Sequence, residues 1–258
     1  MLAAPGHVAA DGAGRVCFSD PLAAVVERVD APSSFVGLAG DGVTGFTGDG
    51  GPATASGLSR PQAFAFDPAG RLVIADANDF RIRRVEADGT LSTIAGDGEI
   101  GVVSGPDGAP ALTSPIGIVK ALAVDPAGRV WFSDAGASTV RRIEPDGTLA
   151  TIVGDGDFGF AGDGGPGRAA ELSVAADLAF DDDGALYIAD QENGRVRRYD
   201  PVADRIDTVA GADPGVPGPF PTPHTVDATT AFLEQPTTLD VDGAGRIYIG
   251  VSAGARID

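Results

Sequence analysis

The sequence predicts an all-β fold, a β-propeller of four-stranded antiparallel blades, and three observations predict it. Asp-Pro-Ala-Gly-Arg occurs at 67–71 and 125–129, with near-copies at 11–15, 181–185 and 242–246. The leading residues, Asp11, Asp67, Asp125, Asp181 and Asp242, are 56, 58, 56 and 61 residues apart, a period at which self-similarity means a solenoid or a propeller. Short apolar runs recur in phase with this turn, and no stretch has helical periodicity. The chain therefore reads as one domain over 1–258 whose units stack on their neighbours, with repeats at about 5–60, 61–115, 116–174, 175–235 and 236–258.

Within each unit the first strand (Ala63-Phe64-Ala65-Phe66) enters the Asp turn, where Pro in second place and Gly in fourth suit a type I turn. The second strand is a continuous apolar run: Val16–Phe18, Leu72–Ala75, Val130–Phe132, Leu186–Ile188 and Ile247–Ile249. Continuous rather than alternating apolar residues mark a strand covered on both faces. Cys17, Val73, Trp131, Tyr187 and Tyr248 share one slot in it and are expected in the core. The third strand carries Arg81–Val85, Val140–Ile143 and Arg195–Tyr199; the fourth follows Asp88-Gly89 or Asp146-Gly147 and ends at Gly96 or Gly154, with weaker copies at 35–40 and 206–211.

A net charge of −19, from 37 acidic and 18 basic residues, opposes nucleic-acid binding, which needs cations to displace phosphate counterions. Eleven Asp residues precede Gly, so much of the acidity belongs to turns. No apolar run is long enough to span a membrane, and the first residues have neither the basic nor the apolar segment of a signal peptide. The single cysteine, Cys17, excludes an intrachain disulfide and any multi-thiolate metal site.

The combined pattern, Leu-x-x-Pro, a short strand, Asp-x-x-Gly, an apolar strand ending in Ala-Asp or Ser-Asp, then Arg-Ile/Val-Arg-Arg, resembles the NHL repeat. The linker Gly-Phe-x-Gly-Asp-Gly-Gly-Pro at 45–52 and 159–166, degraded at 101–110, is similar to that of the bacterial, teneurin-like NHL repeats. The resemblance covers nearly the whole chain and implies a six-bladed propeller acting as a non-enzymatic protein- or carbohydrate-binding scaffold, in a secreted or extracytoplasmic bacterial protein. The alternative that it implies is a gluconolactonase- or lyase-like enzyme with a metal or ligand at the central channel. The strand-end Asp of the repeat is present as Asp20, Asp76, Asp134 and Asp190 but is Val251 in the last unit; the Arg five residues on is present as Arg81, Arg195 and Arg256. These pairs are expected to bridge strands within a blade, and Arg83, Arg84, Arg141, Arg142, Arg197 and Arg198 to form salt bridges at blade edges. The fifth unit stops within a third strand, so the sequence is expected to be part of a longer propeller or a five-bladed ring with a deficient last blade.

Gly40–Gly45, Gly96–Gly101 and Gly154–Gly159 satisfy the dinucleotide fingerprint G-x-G-x-x-G, but each places Asp beside the supposed phosphate and no helix follows, so they read as inter-blade loop glycines. No cofactor is expected from them. The same loops carry Asp41 with Asp49, Asp97 with Asp107, and Asp155 and Asp157 with Asp163, an oxygen-rich set that would suit calcium. With two histidines, His7 and His224, a three-histidine zinc site is excluded, and no catalytic serine, zinc or dithiol motif is present. The binding candidates lie at the start of the first strand, four or five residues before the turn Asp: His7, Gln62, Lys120, Asp177 and Thr238, which a ring would gather at one mouth of its channel.

Overall fold

The computed structural model describes residues 5–31, 34–99, 105–212 and 227–252. His224, Arg256, residues 101–104 of the degraded linker and the start of a third strand in the last unit lie outside them. Within the described residues four blades follow one another. The first holds β1 (Val8–Ala10), β2 (Val16–Asp20), β3 (Val25–Ala31) and β4 (Ser34–Ala39); the second holds β5 (Pro61–Phe66), β6 (Leu72–Asp76), β7 (Arg81–Val85) and β8 (Leu91–Ala95). The third holds β9 (Val119–Val124), β10 (Val130–Asp134), β11 (Thr139–Ile143) and β12 (Leu149–Val153), the fourth β13 (Ala175–Phe180), β14 (Leu186–Asp190), β15 (Arg195–Asp200) and β16 (Arg205–Ala210). A two-stranded sheet, β17 (Pro236–Val241) and β18 (Ile247–Val251), completes them. Each sheet is a meander in chain order, the all-β arrangement of a β-propeller blade.

The Asp turn sets the register of each first hairpin. Gly70 N–H donates to the Asp67 carbonyl at 2.8 Å and Asp67 N–H to the Arg71 carbonyl at 3.0 Å, with Gly70 at φ +77°, a type I turn followed by a left-handed glycine. Asp67 Oδ1 accepts from the backbone N–H of Ala69 and Arg71, and Oδ2 from Arg71 Nε at 2.7 Å. The same set recurs at Asp11, Asp125 and Asp242, so the Arg of the repeated pentapeptide is the lock of its own turn. In the third blade Trp131 Nε1 adds a bond to Asp125 Oδ2 at 3.0 Å.

The chain divides into two compact units, residues 1–132 with 142–150, and residues 133–141 with 151–258. In the first unit, Leu72 and Ile74 of β6 pack with Cys17, Val26, Leu58 and Phe64, while Val73 and Ala75 pack with Ile116, Leu122, Phe132 and Leu149. One strand thus serves two cores from its opposite faces, the physical reason for its uninterrupted apolar run. In the second unit, Tyr187, Val196 and Leu233 pack with Leu239, Val241, Ile247 and Ile249. The shared slot is buried at Cys17, Val73, Trp131 and Tyr187, as expected, but Tyr248 is 53% exposed and donates to Asp242 Oδ2. It caps a turn instead of filling a core.

The fingerprint glycines close each blade. A Cβ on Gly96, at φ +91°, would lie 2.1 Å from the carbonyl oxygen of Phe80, itself left-handed at φ +49°. Gly40, Gly154 and Gly211 meet Ala24, Ser138 and Gly194 in the same way, so the glycine lets the end of the fourth strand pass against the turn between the second and third.

The Asp125 carboxylate holds four donors, and its removal also orphans the buried Trp131 N–H. Asp125→Ala is expected to cost about 3 kcal/mol in urea unfolding, and Asp67→Ala, which has no such tryptophan, about 1 kcal/mol less.

Candidate functional site

The two copies of the Gly-Phe-x-Gly-Asp-Gly-Gly-Pro linker are built into the blades by buried arginine. In the first unit the Phe46 ring lies 4.1 Å from the Arg81 guanidinium and 4.7 Å from that of Arg83, and Asp49 accepts from Arg83 Nη2 at 2.8 Å. In the second unit Phe160 lies 3.7 Å from Arg195 and 4.8 Å from Arg197, and Asp163 pairs with Arg197 at 2.8 Å. Arg83 and Arg197 are fully buried. Such cations are tolerated because carboxylate, carbonyl and aromatic faces replace their water.

This corrects the expected Asp–Arg pairing. Asp76 and Arg81 face each other in register, yet the Asp76 carboxylate meets Arg83 at 3.6 Å, and Asp190 meets Arg197 at 3.5 Å, seven residues on rather than five. A long side chain reaches its diagonal neighbour on the same face, while Arg81 turns away to the Asp97 carbonyl at 2.8 Å. It also corrects the blade-edge reading for Arg83, Arg141 and Arg197, which are buried. Arg84, Arg142 and Arg198 do form the expected surface pairs, with Glu86, Glu144 and Asp200.

Among the described residues no three Asp, Glu, His or Cys side chains gather as a metal site, and five of the loop aspartates expected to suit calcium have other partners. Asp49 and Asp163 hold arginine. Asp41, Asp97 and Asp155 each accept the backbone N–H two residues on, turning their oxygens into the loop.

The five first-strand candidates divide between the two units, His7, Gln62 and Lys120 in the first and Asp177 and Thr238 in the second. The register shifts between Pro61 and Ala63 in β5, between Ala175 and Leu178 in β13 and between Pro236 and Thr238 in β17, so Gln62 and Asp177 lie within an irregularity and Thr238 at the edge of one. In the first unit His7 is partly buried edge-on against Phe64 at 5.0 Å, and Gln62 and Lys120 are half-buried on neighbouring strands. Burial pushes the His7 imidazole down to about 4. In the second unit Asp177 is buried and accepts from Leu178 N–H at 2.9 Å and Leu239 N–H at 2.7 Å, joining β13 to β17 beside the exposed Thr238. Burial raises its carboxyl to about 6 against those two bonds.

Two grooves that the sequence did not reveal lie on the first unit, one repeat apart. One, of about 590 Å³, is lined by Arg84, Glu86, Ile94, Leu112, Arg129 and Glu144. The other, of about 560 Å³, is lined by Arg15, Arg28, Leu38, Phe66, Arg71 and Glu86. Each is lined by apolar side chains together with arginine and carboxylate, and Leu112 is 56% exposed. The repeated turn Arg supplies a cation to both linings, as Arg129 in one and as Arg15 and Arg71 in the other.

Arg83→Leu, which strands buried Asp76, is expected to lower unfolding stability by about 3–5 kcal/mol, whereas Arg84→Ala at the surface should cost under about 1 kcal/mol. The unfolded chain protonates His7 near 6.5 and the folded chain near 4, so stability should fall as pH drops through that window. His7→Phe should remove about 3 kcal/mol of that acid-side loss, read from urea unfolding across the window.

No protein-family model matches the chain, and no curated protein sequence matches it. Solved structures share its fold. An auxiliary nutrient binding protein from Bacteroides thetaiotaomicron superposes with a TM-score of 0.67 at 13% identity over 97% of this chain and 57% of that one. Virginiamycin B lyase from Staphylococcus aureus gives 0.55 at 13% identity over 96% and 64%, and a gluconolactonase from Xanthomonas campestris 0.55 at 17% identity over 93% and 67%. The chain spans about three fifths of the length of the first two. Its fold is that of the β-propellers.

Proposed function

We propose that the chain is a binding module, an NHL-type propeller segment that presents its grooved face to a protein or carbohydrate partner. The observation that carries this reading is the pair of grooves with the same chemistry one repeat apart. A catalytic centre needs one constellation of reactive groups, whereas recurring grooves suit an extended partner gripped at intervals, with the second contact favoured by the first. The arginine and carboxylate groups of the linings match hydroxyls or peptide groups, and their apolar side chains match C–H faces. The nutrient-binding neighbours lend this reading support, and the lactonase and lyase neighbours name its rival.

Panels of oligosaccharides and of peptides titrated calorimetrically, beside lactone hydrolysis assayed with added divalent cations, separate the two. Saturable binding is expected, weakened about tenfold (about 1.4 kcal/mol) by Leu112→Glu with no change in melting temperature. Metal-dependent lactone turnover without such binding would replace this reading with the enzymatic one.

A further inference from the structure

Blades two and four meet one requirement with different side chains. In blade four the buried Asp190 accepts from Ser173 N–H at 2.7 Å and, through Oδ2, from Asn193 Nδ2 at 2.8 Å; the second amide proton of Asn193 goes to the Gly159 carbonyl at 2.7 Å. In blade two the buried Asp76 accepts from Ser59 N–H at 2.6 Å, but the residue three positions on, where Asn193 stands in blade four, is Asp79. An amide brings two protons to this place and a carboxylate brings none. The Oδ2 atoms of both Asp76 and Asp79 are buried without a hydrogen bond, the Arg83 guanidinium standing 3.6 Å from that of Asp76. Two like-charged carboxylates side by side, each with a buried oxygen that no hydrogen bond reaches, carry a desolvation and a repulsion cost that the Arg83 charge offsets only in part, and a single shared proton relieves both.

We propose that Asp76 and Asp79 share one proton, which does in blade two the work of the Asn193 amide in blade four, and that losing it loosens the linker between blades one and two. Three bonds tie that linker to the pair's turn: Ser59 N–H to Asp76, Asn78 N–H to the Ser59 carbonyl at 2.9 Å, and Ala77 N–H to the Arg60 carbonyl at 3.3 Å. The charged groups facing the pair are Arg83 and Arg81 from β7, with Asp49 of the linker acting through Arg83. Burial is the main cause that pushes the Asp76 carboxyl up to about 7, with the Asp79 charge adding to it, and burial raises Asp79 as well. The folded chain therefore keeps a proton that the unfolded chain releases near 3.8, and stability is lost as pH rises from there through about 7.

The test is a reciprocal exchange, Asp79→Asn in blade two and Asn193→Asp in blade four, followed by urea unfolding between about pH 5 and pH 8. Up to about pH 7, the wild-type unfolding constant should rise by up to about tenfold per pH unit relative to Asp79→Asn. Asn193→Asp should acquire an added slope of the same sign. Exchange of the Ser59 and Asn78 amides should quicken with pH in the wild type beyond its rise in Asp79→Asn. Infrared spectra near pH 6 should show a protonated-carboxyl band in the wild type that weakens in Asp79→Asn. Parallel pH profiles for the wild type and Asp79→Asn overturn the proposal, as does an Asn193→Asp variant that folds without added slope; if that variant does not fold, the wild-type and Asp79→Asn pair decides.

Discussion

Everything else in these blades depends on a second strand that is wet on neither face. Because β6 gives Leu72 and Ile74 to one cluster and Val73 and Ala75 to another, it carries no side chain to water, and its flanking turns must supply all the polar contact that it lacks. The Asp turn does so at one end, by closing its hairpin with a carboxylate that serves two backbone amides and an arginine. Asp76 does so at the other end, through Ser59 and Arg83. Placing a carboxylate at each end of a fully buried strand fixes its register, since a slip of one residue would drag both charges into apolar surroundings.

The buried arginines turn this local arrangement into a blade-to-linker connection. Arg83 and Arg197 join the strand-end carboxylate, the linker aspartate and the linker phenylalanine in each copy, so the conserved-looking loop motif is explained by attachment to the blade rather than by a ligand. The acidic composition has the same origin. Asp49 and Asp163 neutralise cations in the interior, and the turn aspartates serve backbone amides, which leaves few of them assembled for a metal.

Strand order, turn type and the buried second strand were legible in the sequence because each is local and each recurs in phase. Three features were not. The partner of Asp76 is a diagonal neighbour, whereas spacing alone selects the directly opposite Arg81. The register irregularities of β5, β13 and β17 fall at the positions of Gln62, Asp177 and Thr238, and a bulge leaves no residue type as its mark. The grooves arise where side chains of successive blades leave space, a quantity that no single repeat encodes. The one available signal was the Arg that closes every Asp-x-x-Gly turn except the fourth, where Ala185 stands.

Cys17 packs in the cluster shared by the first two blades, with no exposed surface and a thiol raised by burial. Being the sole sulfhydryl in the chain, it is a built-in reporter: alkylation can proceed only in molecules where that cluster has come apart. The rate at which a thiol reagent consumes the protein therefore counts the separations of one particular pair of blades, without any engineered label.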